Sequence, residues 1–172
     1  SSSTLSFVDG ASSVVLDDTY KEYIFTFKDI HPATNNTGFM FNMSIDSGSN
    51  YNVTKTTTNF RAYHAEAGDG QNLRYESDTD LAQSTAFQDL TREDSGNDND
   101  ECCVGTLHLF NPSSTTFVKH FIATTNSTHE ADYSHQNFVA GYGNTTSAVD
   151  AVQFKMSSGN IDAGDICLYG IN

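Results

Sequence analysis

The chain has 172 residues, 37% of them hydrophobic and 12% aromatic, with a net charge of −14 and a pI of about 4.4. Such a surface repels nucleic acid and anionic lipid, so neither is expected as a partner. No run of 18 apolar residues occurs, so no membrane insertion by a helix is expected either. One domain over residues 1–172 is the expectation at this length, with a chain long enough to bury a single core. Twelve Phe and eight Tyr supply that core where aliphatics are scarce, because each ring buries on the order of 150–250 Å².

Period-two alternation predicts strands through most of the chain. Short candidates at 4–8 and 12–16 come first. "YKEYIFTFKDI" (20–30) sets Tyr23, Phe25 and Phe27 against Ile24, Thr26 and Lys28, and stops at His31-Pro32, since proline cannot donate to a ladder. "GFMFNMSI" (38–45) sets Phe39, Phe41 and Met43 against Met40, Asn42 and Ser44. Turn residues alone separate the two runs, which predicts neighbouring antiparallel strands. Another strand is expected over 58–64. Residues 65–101 hold 11 of the 22 carboxylates but only two basic residues, Arg74 and Arg92, and read as a solvated, self-repelling loop. Within it, "DTDLAQSTAFQDLTRE" (78–93) has a poor helical stripe, and a long irregular excursion is expected in place of a short helix.

"VGTLHLF" (104–110) and "TTFVKHFIATT" (115–125), joined by "NPSS", form the clearest hairpin. "SHQNFVAGYG" (134–143) carries Phe138, Ala140 and Tyr142 on one face, and "SAVDAVQFKM" (147–156) carries Val152, Phe154 and Met156. "DICLYGI" (165–171) closes the set with apolar or small residues on both faces: Ile166, Leu168 and Gly170 on one, Cys167, Tyr169 and Ile171 on the other. A strand of that kind needs cover on both sides, so one of the two sets is a candidate subunit interface. The fold class is all-β: an antiparallel, jelly-roll-like β-sandwich of about nine or ten short strands.

Chemistry leaves little trace in the sequence. "EDSGNDNDE" (93–101) offers Asp94, Asp98, Asp100, Glu101, Asn97 and Asn99, oxygen donors of the type calcium uses, but its spacing is not that of an EF-hand loop, and a mobile acidic loop is the expectation. His31, His64, His108, His120, His129 and His135 form no metal-binding motif. His108 and His120 fall on the two arms of the hairpin, where they could face each other. Cys102, Cys103 and Cys167 make an odd count with one adjacent pair, a poor disulfide framework; a bridge from Cys167 to either is open, with free thiols packed as small hydrophobes expected. Sequons at Asn35, Asn42, Asn52, Asn126 and Asn144 are read as chance in a chain rich in Asn, Ser and Thr, and Asn42 lies within a strand. No nucleophile elbow, P-loop or dinucleotide fingerprint is present. No catalytic, cofactor-binding or metal-binding residue is assigned, no cofactor is expected, and a non-enzymatic protein is the expectation.

Four runs carry a resemblance: "STLSFVDGASSVVLDDTYKEYIFTFKDIHPATNNTGFMFNMS", "SGSNYNVTKTTTNFRAYHAE", "LHLFNPSSTTFVKHF" and "AVDAVQFKMSSGNIDAGDICLYGI". Together they resemble structural proteins of marine tailed bacteriophages, of the virion or tail-fibre kind, with the ending as the most specific part. The resemblance implies a β-sandwich of jelly-roll type at the virion surface, on a tail fibre or the capsid exterior, as a homotrimer in contact with other virion proteins. A start at Ser1 without Met fits a C-terminal module of a longer chain. The function so implied is that of a distal tail-fibre domain binding a host-surface glycan or protein receptor, with Tyr63, Tyr75, Tyr133 and Tyr142 as candidate stacking residues. The alternative is an architectural role as a capsid decoration, head-fibre or minor capsid protein. The three cysteines depart from the pattern.

Overall fold

The computed structural model describes residues 1–92 and 94–172. Glu93, which belongs to both the acidic run 93–101 and the segment 78–93, lies outside the described residues. The strands are β1 (Leu5–Val8), β2 (Glu22–Pro32), β3 (Phe39–Ser44), β4 (Lys55–Ala65), β5 (Gln71–Tyr75) and β6 (Gln88–Asp89), then β7 (Cys103–Phe110), β8 (Lys119–His129), β9 (Tyr133–Gly143), β10 (Ala151–Met156) and β11 (Ile161–Ile171). They form a four-stranded sheet, β1-β10-β3-β6, and a seven-stranded sheet, β11-β2-β7-β8-β9-β4-β5. Every pairing is antiparallel. The molecule is thus an all-β sandwich.

Phenylalanines weld the two sheets. Phe25 and Phe27 project from β2, and Phe39, Phe41 and Phe154 from the small sheet, each 2% exposed or less. The Phe154 ring lies 5.2 Å from Phe25, 5.3 Å from Phe27 and 5.7 Å from Phe39, so it is the hub of the core. Edge-to-face pairs of this kind add about 0.5–1.5 kcal/mol each beyond the area they bury.

Two strand assignments need correction. The runs 20–30 and 38–45 are not neighbours: β2 lies in the large sheet and β3 in the small one. Their Phe faces look at each other across the core, with Phe27 and Phe39 centroids 5.0 Å apart. Two runs whose large rings must both be buried satisfy each other better face to face than edge to edge. Residues 12–16 form no strand; they bend so that Leu16 caps the core. The β7–β8 hairpin forms as expected, but its second arm starts later, at Lys119, which leaves Phe117 in the loop and 68% exposed. His108 lies opposite Ile122, so the two hairpin histidines do not face each other.

The ending resolves cleanly. Ile166 and Leu168 pair with Phe27 and Phe25 and pack against the core. Cys167, Tyr169 and Ile171 look outward from β11, the edge strand of the large sheet, with Tyr169 49% exposed. Gly164 (φ +105°) sits at the irregular start of this pairing, where a Cβ would come within 2.5 Å of the Asp29 carbonyl oxygen.

Sequence patterning gave no warning of two buried lysines. Lys55 and Lys119 flank Gly143 of β9 and are both fully buried. Lys55 Nζ donates to Asn42 Oδ1 at 2.5 Å and to the Val53 carbonyl at 2.8 Å, with no carboxylate partner among the described residues. Lys119 Nζ donates to the carbonyls of Phe117 and Thr145. Burial pushes the Lys55 amine down to about 7 from 10.5. The unfolded chain therefore binds this proton more tightly than the folded one between pH 7 and 10.5. Stability from this group rises across that window and is lowest below it. Replacing Lys55 by Met removes the cost of burying the charge. Asn42 Oδ1 keeps the Met43 amide as a donor. Urea titrations of Lys55→Met are expected to show a gain of a few kcal/mol at pH 7, at ~1.4 kcal/mol per pKa unit, and a flatter stability profile between pH 7 and 10 than wild type.

Candidate functional site

The large sheet has three strands more than the small one, and past Thr57 and Val139, which still meet β6 and the core, β4 and β9 extend with β5 beyond its cover. Their inward-facing rows are polar: Lys55, Thr57, Asn59 and Arg61 on β4, and His135 and Asn137 on β9 are all buried. The segment 76–101 lies over them. Thr57 donates to Gln88 Oε1 (2.6 Å), Asn59 to Thr79 Oγ1 (2.7 Å), Thr125 to the Leu90 carbonyl (2.5 Å) and Asn137 to the Thr91 carbonyl (3.3 Å). The expected solvated, self-repelling loop is corrected here. Glu76, Asp89, Asp94 and Glu101 are all buried: Glu76 and Asp94 meet Arg61 of the sheet, while Asp89 and Glu101 accept amides of their own segment.

Charge is concentrated at one point. Antiparallel pairing sets Arg61 of β4 directly opposite Arg74 of β5, an arrangement that repels unless an anion separates the pair. Glu76, the residue after β5, supplies it. Its carboxylate is 1% exposed and accepts from Arg61 Nε at 2.6 Å, from Arg74 Nε at 2.5 Å and Nη2 at 3.0 Å, and from Arg92 Nη1. Asp94 takes the far side of the same guanidiniums, 3.2 Å from Arg61 Nη1 and 3.1 Å from Arg92 Nε. Burial alone would raise both carboxyls. For Glu76 the hydrogen bond from Arg74 and the charges of Arg61, Arg92 and Arg74 outweigh it and hold the group below its ordinary value. For Asp94 the contact with His135 and the charges nearby do the same.

The β8–β9 hairpin brings two histidines to this cluster. Its connection is Glu130-Ala131-Asp132, with Asp132 in the left-handed region (φ 59°) and its amide bonded to the His129 carbonyl, a three-residue turn geometry. His129 Nδ1 accepts the Ala131 amide proton at 2.9 Å, so its Nε2 faces Asp94 Oδ2 at 3.6 Å. His135 Nδ1 lies 3.3 Å from Asp94 Oδ1. Burial pushes His129 below its ordinary value.

Asp94, His129 and His135 offer ligand atoms all within 4.8 Å of one another, a metal-like grouping. Arg61 argues against a cation there. Its Nη1 lies 3.0 Å from His135 Nδ1 and 3.2 Å from Asp94 Oδ2, so a guanidinium already occupies the approach to both. The remaining donors of the acidic run disperse. Glu101 turns back to accept the Asp98 amide, Asn97 bonds at Asn35 and Ala33, and Asp98 and Asp100 face solvent.

A cleft of about 310 Å³ opens beside the cluster, lined by Arg61, Tyr63, Gly70, His129, Tyr133 and His135 among others. Tyr63 and Tyr133 ring centroids lie 5.8 Å apart, and Arg61 rests over Tyr63 at 5.1 Å. Two of the four tyrosines singled out in the sequence are thus brought together. Tyr75 and Tyr142 are not. Both sit on the opposite, outer face of the sheet, Tyr75 bonded to Asp80 and Tyr142 beside His120. Among the remaining histidines, His31 meets the Asp98 carbonyl, His108 meets Glu22 at 2.6 Å and His64 is exposed. All three cysteines are free. Cys103 faces the core and Cys167 faces outward. Burial raises the Cys103 thiol, and burial together with Asp29 raises Cys102, so neither is an activated nucleophile. Asn42 is fully buried and donates to Tyr51 and Thr85 carbonyls, so its sequon is not usable in the folded protein.

Comparison with protein-family models finds no match, and comparisons with curated proteins and with solved structures find none.

Glu76→Gln leaves three guanidiniums around a neutral amide. The expected cost is about 3–5 kcal/mol, the usual cost of breaking a buried ion pair, measured by urea unfolding at pH 7. His129, Glu76 and Asp94 all bind protons less tightly when folded than at their ordinary values of 6.5, 4.5 and 3.8. Their contribution is therefore complete above pH 6.5. It is lost as pH falls, first through His129 and then through the two carboxyls. An acid titration of Glu76→Gln should show a shallower loss below pH 4.5 than wild type.

Proposed function

We propose that this domain is a non-enzymatic structural module of a tailed-phage particle, displayed at the virion surface as the distal part of a tail fibre, and that it binds a host-surface glycan in the cleft that Tyr63 and Tyr133 line together. The cleft carries this reading. It lies where the large sheet outruns the small one, on strands fixed by ladder hydrogen bonds and by the Glu76 ion cluster. Its walls are rings and its lining holds no Asp or Glu, although 22 acids populate the chain. Neither phenol oxygen is engaged by a described residue, so both remain available to sugar hydroxyls. At about 310 Å³ it sits at the small end of ligand sites, roughly 300–1,000 Å³, the scale of one sugar unit. The resemblance to phage virion proteins supplies the particle.

The architectural alternative, a capsid decoration, head-fibre or minor capsid protein, draws its support from a different feature, the apolar outer face of the large sheet. The two readings separate experimentally. The purified domain screened against an array of bacterial surface glycans should retain a defined subset, and Tyr133→Ala and Tyr63→Ala should each weaken retention at least tenfold while melting within a few degrees of wild type. Retention unaffected by either variant, or none at all together with an image placing the chain in the capsid lattice, would overturn the glycan reading in favour of the architectural one.

A further inference from the structure

We infer that the outer face of the seven-stranded sheet is an interface between copies of this chain. The register fixes which residues point outward. On β5 they are Gln71, Leu73 and Tyr75; on β4 they run from Thr56 to His64, on β9 from Ser134 to Tyr142, on β8 from His120 to Thr128 and on β7 from Val104 to Phe110, each at alternate positions. Across these five adjacent strands the outer face carries no Asp, Glu, Lys or Arg. The chain as a whole has 22 acids and a net charge of −14. Carboxylates approach it at the rim, where Asp80 meets the Tyr75 hydroxyl and Glu22 meets His108.

Large apolar side chains alternate on it with Thr, Gln, Asn and His. Leu73 is 67% exposed, Tyr75 53%, Ile122 52% and Phe60 43%, and the Phe60 and Phe138 rings stack at 4.8 Å. Charge returns with Glu22 and Lys28 of β2, and the row of His108, Ile24 and Tyr169 runs between them to the β11 edge. Depletion of charge with enrichment of rings is the composition of an interface core. Five strands at ~4.8 Å spacing and about 8 residues of rise at ~3.3 Å cover roughly 600 Å² in projection. Side-chain relief brings this near the ~800 Å² per partner of a standard stable interface. A lone exposed patch of this size is unusual on a soluble monomer.

Charge decides the occupant. A basic partner would seek the acidic surface and gain nothing from a neutral one. Two copies of a chain at −14 repel unless they meet where neither bears charge, and this face is such a place. Its relief is also self-complementary. The ridge of Phe60, Phe138 and Tyr75 stands beside a shallow hollow of about 450 Å³, floored by Thr58, Ala140 and Gly141 and walled by Phe110 and Tyr142. Seating the ridge of one copy in the hollow of the next, by a rotation that closes on itself, would give a finite oligomer.

Light scattering on the purified domain, eluted by size exclusion at about 100 µM, tests this. The wild type should run at two or three times the 18.8 kDa chain mass. Ile122→Asp and Phe60→Asp, each on the outer face, should run as monomers with an unchanged circular dichroism spectrum. Phe117→Asp, equally exposed but in the β7–β8 loop, should remain oligomeric. A monomeric wild type overturns the inference, and so does an oligomer that survives both outer-face substitutions. The inference stands apart from the glycan reading: the Tyr63 and Tyr133 variants should keep the oligomer mass whatever they do to retention on the array.

Discussion

A single carboxylate, that of Glu76, lets β4 and β5 lie side by side. Without it, Arg61 and Arg74 would face each other across a ladder with nothing between them. With it, Arg92 is drawn in from the overlying segment, Asp94 follows, and the polar inner rows of β4 and β9 gain their cover. The molecule is therefore a sandwich with two kinds of filling. Between the sheets, phenylalanines centred on Phe154 do the packing. Beyond the small sheet, amides, hydroxyls and guanidiniums bond to a segment with only two residues of strand. Buried polar groups are tolerated only when partnered, and here most of the partners come from residues 76–101.

How much of this was readable from the residues follows from what period two does and does not encode. Alternation located β2, β3, β4, β7, β8, β9 and β11 within a few residues. It also separated Ile166 and Leu168 from Tyr169 and Ile171. It does not say which face is inside. On β9 the apolar set, Phe138, Ala140 and Tyr142, looks outward, while His135 and Asn137 are buried. Any rule that puts apolar residues inside inverts that strand. Partnering was illegible for β2 and β3 because face-to-face and edge-to-edge packing of two Phe-rich runs leave the same pattern. The acids of 65–101 misled for a related reason: Arg74 and Arg92 within the stretch look too few, and the remaining counter-ions, Arg61 and the two histidines, lie outside it. The one signal present was Arg61 itself, a lone guanidinium in a Thr- and Asn-rich strand.

The two surfaces proposed above, for a glycan and for a second copy, are the opposite sides of the same strands. β4 and β9 turn Tyr63, Tyr133 and His135 to one side and Phe60, Phe138 and Tyr142 to the other. The ladder fixes the offset between these sets, so a ligand held on one side and a copy held on the other are in rigid register. This arrangement suits a module that must present several binding clefts at set spacing, since linked sites multiply affinity without new contacts.

The polar filling also has a consequence for how the chain assembles. A conventional sandwich half exposes a greasy inner face until its partner sheet arrives, and that interval is when chains aggregate. Here the inner rows of β4 and β9 stay hydrated at little cost before residues 76–101 close over them. On the outer face Leu73, Phe60 and Ile122 remain uncovered even in the finished domain. Drying of the interior therefore divides in two: the phenylalanine core excludes water by shape and area, whereas the inner rows of β4 and β9 exchange water for the hydroxyls, amides and carboxylates of 76–101.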